Sequence, residues 1–205
     1  MLRRLALLGV LAGGFGSEVH AQTTGTPVFL APTKAFRTSE IGLFFTDPGA
    51  GFTLEGMYRV GRGSSDLGFR LGIGDNDSDV PNGPSSTFFL AGVDFRQRVI
   101  RASEAFPLDG SFTLGVGGVF GDDVTVGLLP IGISLGRRVA LEGTRTTFTP
   151  YFHPVLVPTF GDAEDEIQFG IGLGVDIQFS PRLDARLGAG LGDYDGISLG
   201  VSFTR

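Results

Sequence analysis

The chain contains no cysteine. That excludes a disulfide framework and any thiol chemistry. Lysine is almost missing: Lys34 stands alone against 15 arginines. Charge of either sign is scarce, at 19% of residues, whereas the surface of a water-soluble domain is usually about 25–35% charged. Acids outnumber bases, 22 to 16, which argues against a nucleic-acid partner. After the first twenty positions no apolar run is long enough for a transmembrane helix. Histidine is reduced to His153 beyond residue 21. There is no Gly-x-Ser-x-Gly, no phosphate loop and no metal-ligand spacing, so no cofactor is expected. The protein is not expected to be an enzyme; a membrane-embedded lipid-modifying activity is the one exception left open.

Glycine, by contrast, is abundant, at 34 of 205 residues, and the mean hydropathy is positive, at +0.21. The first 21 residues read as a secretory signal peptide. Arg3 and Arg4 form a basic start, Leu5 to Gly16 an apolar and small-residue stretch, and Val19-His20-Ala21 a small-residue cleavage site before Gln22. Removing them takes the formal net charge from −6 to about −7, because Arg3, Arg4 and Glu18 are lost. Residues 22–34, QTTGTPVFLAPTK, read as a loose lead-in to the folded domain at 35–205.

Within that domain the dominant period is two. Ile167, Phe169, Ile171, Leu173, Val175, Ile177 and Phe179 alternate with Gln168, Gly170, Gly172, Gly174, Asp176 and Gln178. One face is bulky and apolar, the other small and polar, which predicts a strand. Ten such segments occur, at about 36–46, 51–61, 66–74, 87–99, 111–120, 124–136, 146–159, 166–179, 184–192 and 196–204. No helical period is sustained. The predicted fold is all-β, an antiparallel up-and-down barrel of ten strands, with eight as the alternative count. Most segments approach the 9–11 residues that a tilted strand needs to cross a bilayer.

Alternate connections carry opposite charge. GIGDND (72–77), VFGDD (119–123), TFGDAED (159–165), GLGDYDG (190–196) and the looser FFTDPGAG (44–51) mark one end, and Arg-flanked turns mark the other. In a meander this predicts an acidic rim and a basic rim, with Gly supplying positive φ and Asp capping its own backbone. A soluble barrel with the bulky face inward would expose Gly, Ser and Thr with few charges. A membrane barrel turns the bulky face to lipid instead, and the low charge favours it.

On these features the chain resembles the small outer-membrane β-barrel proteins of Gram-negative bacteria, of the OmpA-barrel, OmpX and OmpW type, over residues 35–205. Ser198, Gly200 and Phe203 are similar to that family's C-terminal assembly signal, although Thr204 and Arg205 follow where the family usually closes on an aromatic. The resemblance implies location in the outer membrane, contact with its lipid and lipopolysaccharide, and insertion by the barrel assembly machinery. It also implies that both termini, the lead-in and the Arg-rich rim face the periplasm.

The inward positions collect Glu40, Glu55, Arg70, Asp94, Arg96, Asp176 and Arg186, with Arg59 near one end. Nearly balanced acids and Arg forks favour a salt-bridged, closed interior and a structural or surface role. The alternative is a narrow passive channel with a charged constriction. The Gly ladders at 170–174 and 188–192 leave either a crevice or room for the long Arg side chains. In the strand at 149–160, Pro150, Pro154 and Pro158 share parity and face outward, so one seam lacks ladder bonds. A lateral opening for lipid handling is the third functional reading. Among the acidic corners, Asp75, Asp77, Asp79, Asp162 and Asp165 are the candidates for divalent cations; Val80 stands where an EF-hand needs Gly, and a solvated rim is the preferred reading. His153, mid-strand beside Tyr151, reads as structural.

Overall fold

The computed structural model describes residues 24–26, 28–32, 38–48, 51–76, 86–122, 124–162 and 166–205. Its strands are β1 (Ser39–Asp47), β2 (Phe52–Arg62), β3 (Ser65–Asn76), β4 (Ser86–Ile100), β5 (Asp109–Phe120), β6 (Thr125–Leu128), β7 (Ile131–Gly136), β8 (Val139–Ala140), β9 (Thr147–Gly161), β10 (Ile167–Gln178), β11 (Leu183–Gly192) and β12 (Gly196–Thr204). All belong to one antiparallel sheet. β6 and β7 share a single position, since both pair with β5 on one side and β9 on the other. β8 is a short extra pairing on β9. β12 pairs with β1 from Glu40↔Thr204 to Asp47↔Ile197. The sheet therefore closes into a barrel of ten positions, the expected count.

Alternation sets the two faces as the sequence predicts. On β1, Glu40, Phe44 and Thr46 are buried, while Ile41, Leu43 and Phe45 are 60%, 51% and 49% exposed. The outer surface is a continuous field of such residues, with Leu71, Phe89, Ile167 and Phe203 among the most exposed. The connections alternate between ends as well. Asp47, Asp122, Asp162, Asp193 and Asp195 lie at one rim, and Arg62, Arg101, Arg137, Arg145 and Arg182 at the other.

The Gly-Asp corners work differently from the expectation. Gly161 (φ +109°) and Gly192 (φ +88°) do take left-handed backbone conformations. A Cβ on Gly161 would also lie 2.5 Å from the Thr125 carbonyl oxygen. The Asp that follows caps the neighbouring strand rather than its own turn. Asp162 Oδ2 accepts from Thr125 N–H at 2.8 Å, and Asp193 Oδ2 accepts from Phe169 N–H at 2.8 Å. Each of these Asp residues also donates its own N–H to the same partner's carbonyl, at 2.9 and 3.1 Å. Gly bends the chain back far enough for Asp to tie off Thr125, the first residue of β6, and Phe169, just outside the last β10–β11 pair.

The sixth position is the irregular one. The segment 124–136, expected as one strand, breaks at Leu129-Pro130. Pro130 has no N–H to give β5, although its carbonyl still accepts from Gly115 N–H at 2.8 Å. The proline strand β9 lies directly against this break. Pro158 and Pro150 accept from Leu129 N–H (3.0 Å) and Arg137 N–H (3.2 Å) but return nothing. The register from Ile131↔Leu156 to Leu135↔Phe152 places Ile133 opposite Pro154 in the same way. All three prolines thus face one neighbour, the broken strand. On its other edge β9 pairs with β10 without interruption from Thr147 to Pro158.

In hydrogen exchange of the folded protein in detergent, the amides of Leu129, Ile133 and Arg137 are expected to exchange on the order of tenfold faster than those joining β9 to β10. Equal protection on the two edges of β9 would show that the prolines do not weaken the seam.

Candidate functional site

Among the described residues, buried polar side chains converge in the barrel interior. All seven residues read as lumen-facing are buried there: Glu40, Glu55, Arg70, Asp94, Arg96, Asp176 and Arg186. They form two clusters. In the first, Arg59 on β2 bonds both Asp66 on β3 and Asp94 on β4. Arg96 holds the second oxygen of Asp66 through Nη2 (2.7 Å) and Nε (3.1 Å), and Arg70 Nε lies 3.7 Å from Asp94. In the second, Arg186 on β11 donates to Glu40 at 2.5 Å and approaches Asp176 at 3.3 Å. Its guanidinium also lies over the Phe44 ring, 5.7 Å from the centroid.

Strand register explains most of these pairs. Asp66↔Arg96 and Asp176↔Arg186 are directly opposed neighbours on adjacent strands. Glycine makes the room. A Cβ on Gly68 would overlap the Arg59 guanidinium, and one on Gly200 would overlap the Phe44 ring. Arg59 is therefore the centre of the first cluster rather than an end residue. Asp66 and Asp184, both buried, belong to the same wall and were absent from the sequence-predicted set. Each shares parity with a residue in that set, Arg70 and Arg186, and parity alone was enough to find them.

The larger difference concerns the lead-in. The described part of 22–34 is not loose: Thr24, Thr26 and Val28–Ala31 are buried inside the barrel. Glu55, with no Arg of its own, accepts from the hydroxyls of Thr24 (2.6 Å) and Thr26. Four consecutive carbonyls then each take a hydrogen bond from a different strand. Arg70 on β3 donates to Val28 O (3.1 Å), and Tyr151 on β9 to Phe29 O (3.1 Å). Ser134 on β7 donates to Leu30 O (2.6 Å), and Arg96 on β4 to Ala31 O. The side chains alternate between walls. Val28 and Leu30 pack on Phe44 and Met57; Phe29 and Ala31 pack with Leu128, Tyr151, Val155, Val157 and Tyr194.

The Gly ladder of β10 holds rings, not arginines and not an empty crevice. Cβ atoms on Gly170, Gly172 and Gly174 would overlap Tyr194, Phe29 and Tyr151 respectively. Tyr194 folds inward from the β11–β12 turn and donates to Gln168 at 3.0 Å, covering the acidic mouth. Burial, with the carboxylates of Asp193 and Glu166 nearby, keeps its phenol protonated above the ordinary range.

His153 bonds Thr113 Oγ1 at 2.8 Å and meets the Phe29 ring edge-on at 5.8 Å. The cavity beside it, lined by Leu30, Asp94, Thr113 and Pro130, is about 10 Å³, room for about one water. Of the cation candidates, Asp77, Asp79 and Asp165 lie outside the described residues. Among the described residues no three His, Cys, Asp or Glu are grouped to hold a metal. Asp162 is committed to Thr125.

No protein-family model matches the chain, and no curated protein matches it. Two solved structures are similar in outline. One comes from de novo design of transmembrane β-barrels, with 11% identity and TM-score 0.37, covering 85% of this chain and 99% of that one. The other is the β-domain of the Bordetella autotransporter Brka, with 14% identity and TM-score 0.47, covering 82% and 98%. Both scores are too low to carry weight, and the barrel is established by its own strand pairing.

Arg59→Ala leaves Asp66 and Asp94 short of their common partner and is expected to destabilise the barrel by about 3–5 kcal/mol. Arg70→Ala, which loses only a long contact to Asp94 and one carbonyl, is expected to fall well short of that. Thermal unfolding followed by the electrophoretic shift between folded and unfolded barrel ranks the two variants; equal loss would refute the central role of Arg59.

Proposed function

We propose that this protein is an integral outer-membrane β-barrel with a closed, salt-bridged interior and a structural or surface role. The observation that carries the reading is the outer face. Ile41, Leu43, Phe45, Leu71, Phe89, Ile167, Leu199 and Phe203 all point outward and are about half exposed or more. A patch of that extent far exceeds the few hundred Å² a monomeric soluble protein leaves in water, and it suits lipid. Closure of the sheet leaves no open edge, the second requirement of a membrane-spanning sheet. The signal-peptide pattern and the Ser198, Gly200, Phe203 ending support the Gram-negative outer membrane in particular, with membership among its small barrels. Lipid, lipopolysaccharide and the assembly machinery are then the partners. Cation bridges at the acidic rim belong to the same proposal.

The closed interior supports a structural role over a permanently open channel. No catalytic role is proposed for His153, which the Thr113 bond and the Phe29 ring hold in place. The proline seam favours a second reading, lateral opening toward lipid, because the carbonyls opposite Pro150, Pro154 and Pro158 receive no bond from them.

The refolded mature chain is expected to shift in mobility on boiling, to co-float with liposomes, and to give no discrete conductance steps in a planar bilayer. Failure to float with lipid would overturn the membrane reading. Steady steps from the unmodified protein would overturn the closed interior.

A further inference from the structure

We propose that the lead-in, described at residues 24–26 and 28–32, is a displaceable plug, and that the barrel beneath it is a pore for ions and small hydrophilic solutes. This rests on the membrane-spanning reading and adds a transport function to it.

Three observations point to displacement rather than permanent filling. First, the segment joins no strand ladder: among the described residues, no pairing of the sheet includes one before Ser39. It is held through the side chains of Glu55, Arg70, Arg96, Ser134 and Tyr151. It can leave as a unit without breaking a backbone bond of the barrel. Second, the inner wall of the barrel carries polar groups that water suits better than protein. Thr46, Thr53, Ser111 and Ser202 hold buried hydroxyls with no hydrogen-bond partner, and Arg70 Nη1 has none either. Unsatisfied buried groups of this kind call for an explanation, and a hydrated open state supplies it. Third, the fit is shaped. Phe29 occupies a slot that exists because position 172 is Gly, and Pro32 lies 3.1 Å from where a Cβ on Gly136 would be.

Withdrawal would return Glu55, Arg70 and Arg96 to water together. A wall carrying both signs admits small solutes of either charge and offers nothing to an acyl chain. Ten strands enclose more than their own side chains fill when so many inward positions are Gly.

The test weakens the plug and leaves the wall untouched. Thr24→Val, Thr26→Val and Phe29→Ala are combined in the full chain, and Leu30→Cys is added as the only thiol in a protein without cysteine. Single-channel recording and labelling by a membrane-impermeant maleimide are read on the same folded samples, with folding checked by the boiling shift. Discrete openings and labelling of Leu30→Cys should each rise at least about tenfold over the Leu30→Cys parent, a change of about 1.4 kcal/mol in the closed-to-open balance. Gly172→Val, which crowds the Phe29 slot from the wall side, should act in the same direction. A folded variant that stays silent and as protected as the parent overturns the plug. So do openings without added labelling, because solutes would then pass a seated segment. Labelling also works in detergent, so failure of the parent to enter lipid would sink the membrane reading and still leave the plug decided.

Discussion

A sheet that turns its bulky side chains outward into lipid has no solvent to satisfy its backbone, so every strand must find partners on both edges. On the membrane-spanning reading proposed above, that constraint governs this molecule. It forces β12 onto β1, and it fixes which face of each strand looks inward. It also makes the two exceptions, the broken sixth strand and the proline strand beside it, the places where the wall is weakest. Both irregularities fall at one seam, so the cost of missing N–H groups is concentrated rather than spread around the barrel.

Closure then creates a second problem inside. Inward positions on β2, β3, β4 and β11 present long Arg side chains, and Arg cannot shed its charge. Each guanidinium must be met by acceptors within the lumen. Asp66 and Asp94 meet Arg59; Glu40 and Asp176 meet Arg186. Arg70 and Arg96 have donors left over once those pairs are made, and these reach the carbonyls of Val28 and Ala31. A carbonyl is a neutral acceptor. It takes up donors without adding a charge that would itself need a partner.

Much of this was legible in the chain. A period of two holds over ten segments, so strand number, face and the alternation of rims could be read directly. Glu40, Asp176 and Arg186 were placed by parity alone. Asp66 and Asp184 sat on the same parity, at the first positions of the segments 66–74 and 184–192. The break at Pro130 was missed because apolar residues continue through it, although they change parity there, from Val124, Val126 and Leu128 to Leu129, Ile131, Ile133 and Leu135. The plug was illegible for a deeper reason. Four of its contacts are made by main-chain carbonyls, which every residue has, and the stretch Val28 to Ala31 shows no polar face to mark them. The capping role of Asp162 and Asp193 was hidden in a similar way, since their partners are main-chain amides 37 and 24 residues away.

Much of the glycine on the inner wall makes room for large side chains rather than for turns. A barrel of ten strands is wide, and ordinary side chains on its inner face would fill it. Here the wall facing Phe29 is stripped to Gly at 170, 172 and 174, and aromatic rings from three separate elements lie in the space. Those rings come from the lead-in, from β9 and from the β11–β12 turn. A wall built only for stability would place its bulk on its own strands, where no loop or terminal segment has to be ordered to deliver it. Tyr151 keeps that economy on β9, whereas Phe29 on the lead-in and Tyr194 in the turn give it up. On the plug proposal, the filling of the lumen then depends on a piece of chain that moves while the sheet stays closed.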